Sequence, residues 1–184
     1  METIENFLKH HQACGLGYTW AIANCKNMQE VWDKAKPEWL IWLATRKGVV
    51  DEKTLHRFGC WSVRQIWNLL KDERSRKAIE IKELWIEGKA TDEELDAARE
   101  AAREAARAAA GDAAGEAAGA AAWDAAGDAA GAAAWAAAWA AARAAAWDAA
   151  GAAAWAAARD AALKDQAKWL RDNAKPNFEL AEVE

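Results

Sequence analysis

The chain reads as an all-α protein, a compact bundle of six to nine helices, and three observations carry that reading. A four-residue unit repeats eighteen times from Leu95 to Leu163. Helix punctuation (Asn27 with Glu30, Pro37, Asp51, Asp72, Thr91 with Glu94) recurs through the first half. No segment alternates apolar and polar residues at period two, and no Asn-Gly or Asp-Gly turn separates apolar runs, so no strand is expected.

Taken in order, Phe7 and Leu8 fall in a first helix that should end near Gly15 and Gly17, and Trp20, Ala21 and Ile22 start a second. Asn27 and Glu30 form a capping box ahead of Val31 and Trp32. Pro37 suits the first turn of a helix carrying Trp39 to Leu43, with Gly48 as its stop. Asp51 caps a helix expected to run through Leu55, Phe58, Trp61, Ile66, Trp67 and Leu70. Asp72 opens the next, which closes near Gly88, and Thr91 with Glu94 opens the repeat. Residues 1–90 form an N-terminal helical part, and 91–184 form Ala-rich helices packed on it within one domain.

In the repeat the lead position is Leu, Arg, Gly or Trp, and the third and fourth positions are Ala in all but the last unit. A four-residue step turns a helix by about 400°, so each lead drifts about 40° from the one before. One straight helix cannot keep those leads on one face, and a single rod would reach about 125 Å. The tract must therefore fold back, with the first break expected at Gly111 to Gly119, a second at Gly127 to Gly131 and a third near Gly151. Thirteen Trp in 184 residues supply most of the large apolar area. The expected core is indole posts, including Trp123, Trp135, Trp139, Trp147 and Trp155, between Ala faces.

The net charge of −5 argues against a duplex nucleic-acid binder. The start lacks a basic region and a long apolar run, which predicts no signal peptide. The longest charge-free stretch of the tract is too short and too rich in Ala and Gly to span a membrane. Three cysteines, Cys14, Cys25 and Cys60, fit reduced thiols in a cytoplasmic protein.

Ala13 to Ala21 has the form Ala-Cys-x-x-Gly-x-x-Trp-Ala. Pro37-Glu38-Trp39-Leu40-Ile41-Trp42-Leu43-Ala44 follows, and then the Ala tract spaced with Arg and aromatic residues. Together they resemble the Ala/Trp-rich bacterial and phage immunity-protein group (Imm5-like). The resemblance implies neutralisation of something harmful by binding it, and it brings no catalytic motif.

The best candidate for ligand chemistry is the Arg–Trp ladder: Trp139, Arg143 and Trp147 at i, i+4, i+8, then Trp155 and Arg159. Indoles can stack on a nucleobase while Arg takes its phosphate; the simpler alternative is Arg lying flat on Trp with its tip in water. Trp39 and Trp42 read first as core and second as a pocket wall. Arg99, Arg103 and Arg107 read first as a solvated, locally paired face and second as a phosphate-binding row, and Asp124 reads as part of the wet side. His10, His11, Cys14 and Cys25 lack the spacing of a zinc finger or ribbon, so no metal is expected. His56 and Cys60 at i, i+4 would permit an imidazole–thiol dyad, but no third group orients it. The leading expectation is a non-enzymatic protein, without cofactor, that captures a small anionic aromatic (nucleotide-like) ligand in a Trp/Arg-lined pocket, in counter-defence or immunity. The rivals are a protein–protein inhibitor module acting through exposed Trp, and a structural homo-oligomer zipped by Ala faces.

Overall fold

Local side-chain bonds fix most helix starts. In the computed structural model, which describes residues 3–108, 113–127, 132–133, 136–141 and 152–179, Thr3 Oγ1 accepts from Asn6 N at 3.2 Å to open α1 (Ile4–His10). α2 spans Gly15–Asn24. Asn27 Oδ1 accepts from Glu30 N at 2.9 Å at the head of α3 (Met28–Lys34). Pro37 is the first residue of α4 (Pro37–Ala44). Asp51 Oδ1 accepts from Thr54 N at 2.9 Å to start α5 (Glu52–Arg64), and Asp72 Oδ1 accepts from Arg74 N at 2.9 Å to start α6 (Glu73–Ile86). Gly88, at φ +73°, ends α6 in the left-handed conformation that glycine takes without strain. The box before α7 (Asp92–Ala108) is complete: Glu94 N donates to Thr91 Oγ1 at 3.2 Å, and Thr91 N donates to Glu94 Oε2 at 2.9 Å. α8 spans Ala113–Ala126, residues 136–141 are helical, and α9 spans Ala152–Asn173. Among the described residues every regular element is helical, so the protein is an all-α multi-helix bundle.

Several boundaries differ from the sequence expectation. α1 stops at His10, and Gln12 takes φ +54°, while Gly15 and Gly17 sit in the first turn of α2 instead of ending α1. Glycine leaves the backbone free to do either, so the local sequence did not decide. α5 ends at Arg64, and Trp67–Leu69 forms a separate 3₁₀ turn. Gly48, at φ +82°, lies beyond the Thr45 cap of α4.

α7 ends at Ala108, α8 resumes at Ala113, and the two pack on each other and on α6, so the tract folds back. Gly115 and Gly119 lie inside α8 and break nothing. Each costs about 1 kcal/mol relative to Ala in a helix, a cost that tertiary packing can absorb.

The core has two main parts. In the first, Phe7, Val31, Trp32, Leu40 and Ile41 pack with Phe58 of α5 and with Leu163, Ala167 and Leu170 of α9. In the second, Cys60 and Val63 of α5 and Ile79 of α6 meet Ala118, Ala121, Ala122 and Ala125 of α8 with Ala133, Ala137 and Ala140. Arg171 of α9 ties this helix to the end of α3, donating to Ala35 O at 2.7 Å and to Trp32 O at 3.3 Å. Chain segments from both ends therefore share the first core.

Of the two repeat-lead indoles whose side chains are described, Trp139 departs from the expected buried post, whereas Trp123 packs against a core cluster. Trp139 is 41% exposed and Trp123 is partly buried, whereas the buried Ala residues of α7 and α8 are at most 2% exposed. Ala side chains let helix axes approach closely, and a large lead residue is then pushed to the rim. Trp135 and Trp147 lie outside the described residues, as does the side chain of Trp155. Among the described residues no helix is long and apolar enough to cross a membrane.

Candidate functional site

α4 turns out to be the hub of both candidate cavities. Its Trp39 and Trp42 line an apolar groove of about 150 Å³ together with Trp20 and Gly17 of α2. Just past its end, Arg46 lies 4.9 Å from the Trp42 ring centroid and donates from Nε to Trp42 O at 3.0 Å and from Nη2 to Thr45 Oγ1 at 3.3 Å. Arg46 also forms one wall of a second, mixed-polarity cleft of about 500 Å³.

That cleft is bounded by the turn after α4, the start of α5, the end of α6, the start of α7 and the end of α8. Its wall includes Lys47, His56, Trp85 and Arg99, with Glu52, Asp92 and Asp96 as acceptors. Trp85 Nε1 donates to Asp92 Oδ1 at 2.7 Å, which holds the indole in place, and the His56 ring meets Trp85 edge-on at 5.3 Å. Lys82, fully buried, presents Nζ 4.1 Å from the Trp85 centroid. The Arg99 guanidinium carbon lies 5.6 Å from the Trp123 centroid. It also lies flat against Gly127, where an added Cβ would meet Arg99 Nη2 at 3.0 Å. Gly127 is thus a seat for Arg99, a role beyond helix breaking.

The electrostatics separate Arg46 and Arg99 from the Arg103 and Arg107 row. Arg103 pairs with Glu100, and Arg107 pairs with Glu104 at 3.0 Å. Among the described residues no carboxylate ion-pairs with Arg46 or Arg99. Partial burial alone lowers the Arg46 pKa from its ordinary value. Desolvated charge without a counter-charge is costly. Asp124 is half-buried, contrary to the wet-face expectation; burial raises its pKa while nearby Arg99 pulls it down.

The sequence-expected ladder is only partly brought together. Arg143 and Trp147 lie outside the described residues, and Trp155 falls in α9. Trp139 is exposed. Arg159 pairs with Glu38 of α4 at 3.6 Å, so it serves the α9–α4 contact. Trp39 and Trp42 do line a pocket. The sequence reading passed over Arg46, although Trp42 and Arg46 have the same i, i+4 spacing as the ladder. It grouped Arg99 with Arg103 and Arg107, although its carboxylate at i−3 is Asp96, one methylene shorter than Glu100 and Glu104.

Burial pushes the Cys60 thiol up to about 12, which disfavours the thiolate that a dyad with His56 would use. Among the described residues no cluster of His, Cys, Asp and Glu could hold a metal ion. No known protein family, curated protein or solved structure matches the chain.

Proposed function

We propose that this protein is a non-enzymatic binder that captures a small anionic aromatic ligand of nucleotide-like chemistry, and that its site is the cleft bearing Arg46 and Arg99. The observation that carries the reading is Arg46: a partly desolvated guanidinium, without an ion-pair partner among the described residues, on the wall of a cleft of about 500 Å³. That volume lies in the range of small-molecule sites, about 300–1,000 Å³. Arg46 and Arg99 would take phosphate oxygens, the Trp85 and His56 rings would flank a base, and Asp96 or Glu52 would accept from its amine or from sugar hydroxyls. A setting in immunity or counter-defence is what the sequence resemblance supports, and a cytoplasmic setting is what the three cysteines support.

Thermal denaturation with nucleoside monophosphates, cyclic dinucleotides and inorganic phosphate tests this. A site ligand raises Tm by an amount that grows with the logarithm of its concentration over Kd. Arg46→Ala and Arg99→Ala should each weaken binding about tenfold to a hundredfold, the value of a charge-assisted hydrogen bond. A panel that leaves Tm unchanged overturns the reading.

A second reading, a protein-binding inhibitor module, is favoured by α2. This helix is largely apolar, yet only Ala21 is fully buried, with Leu16 80% and Ile22 46% exposed. Such a patch suits the apolar centre of a protein interface, and pull-down of a partner lost on Leu16→Asp would support it.

A further inference from the structure

The groove between α2 and α4 differs in kind from the cleft. No charged residue lines it. Its wall is the edges and faces of Trp20, Trp39 and Trp42, floored by Val31 and Leu43, with Cys14 at its margin. Trp20 and Trp39 stand 5.3 Å apart at 47°, which makes a corner instead of a closed stack. α2 packs chiefly on α1.

Gly17 keeps this space open. It occupies a helical position where Ala would be favoured by about 1 kcal/mol, and its φ is not in the left-handed region. A Cβ there would stand 3.7 Å from Trp39 Cε2 and 3.3 Å from Cys14 Sγ, inside the groove. The backbone does not need glycine at this point, whereas the cavity does.

We propose that this groove is a second binding site, for a neutral, planar, apolar molecule of one or two fused rings. The volume of about 150 Å³ equals that of an apolar protein cavity known to stay dry and to accept benzene. A wall without charge gives an anion nothing to pair with, so the groove and the cleft select opposite chemistries. Lys36 lies over the Trp39 ring at 4.5 Å and Arg46 over the Trp42 ring at 4.9 Å; the remaining indole surface in the groove suits ring-on-ring contact at about 4.5–7 Å between centroids.

Cys14 reports occupancy. It is the exposed thiol of the three cysteines, while Cys25 and Cys60 are buried. The experiment measures the alkylation rate of Cys14 by iodoacetamide, together with Tm, while toluene or indole is titrated into the full chain. The expected result is a rise in Tm and a several-fold slowing of Cys14 alkylation, unchanged in Arg99→Ala, which touches the cleft and not the groove, so the outcome does not depend on the cleft. Gly17→Ala should fold at least as stably and bind about tenfold more weakly, because the new methyl takes up ring space. Gly17→Leu should abolish the effect. Neither probe slowing alkylation up to its solubility limit would overturn the proposal, as would an equal response in Gly17→Ala and the wild type.

Discussion

The two cores of this molecule are built on opposite plans. Around α4, large and varied side chains such as Phe7, Trp32, Leu40, Ile41 and Phe58 fill the space between short helices. Around α8, the space is almost absent, because Ala118, Ala121, Ala122 and Ala125 bring helix backbones together. The first plan obtains its stability from area removed from water per residue. The second relies on dispersion contact between closely spaced backbones and on the low entropy cost of ordering Ala. The cleft of about 500 Å³ with its cationic wall lies where the first plan meets the second, at the ends of α4, α6 and α8.

That contrast can be broken from either side. Phe58→Ala, at a fully buried site, should cost about 3–5 kcal/mol by the cavity it leaves, read as a lower urea midpoint. Ala121→Leu, in the opposite sense, should cost about 1–3 kcal/mol by overpacking. If it proves neutral, the α8 interface is looser than its buried Ala rows indicate.

Smaller effects sharpen the comparison. Thr91→Ala removes one half of the reciprocal cap on α7 and should cost about 1 kcal/mol, seen as a lower Tm with little change in helical signal. Asp124→Asn should stabilise slightly at pH 7. The folded pKa of Asp124 is raised, so the native state binds its proton more readily than the unfolded chain does. Its contribution is therefore most favourable below the unfolded carboxylate pKa and is lost as pH rises through the folded value. The Asn variant lacks that loss, and its advantage in Tm should vanish in acid.

Local features were legible in the sequence, and tertiary ones were not. The caps at Asn27, Asp51, Asp72 and Thr91 join atoms two or three residues apart, so spacing alone reveals them. The fold-back followed from the 40° drift of the leads. Which Ala residues face inward could not be read, because a tract that is Ala on every side has no apolar stripe set against a polar one to orient it. The same uniformity hid the rim position of Trp139. Arg46 was within reach, since its spacing from Trp42 matches the ladder's. Arg99 was not, because its seat on Gly127 joins two helices that only the fold brings together.

The complete capping box at Thr91 has a further consequence. In a tract of near-identical four-residue units, sliding a helix by one unit replaces Ala with Ala at most contacts. Many alignments are then nearly equal in energy, and a folding chain could settle into a wrong one. The box pins the phase of α7 at its first residue, and the Arg99 seat on Gly127 and the Arg171 clamp on the end of α3 fix the phase further along. Three small polar fixtures thereby do for a monotonous sequence what a varied core does for an ordinary one. Units could be gained or lost between such anchors with the anchors themselves left in place.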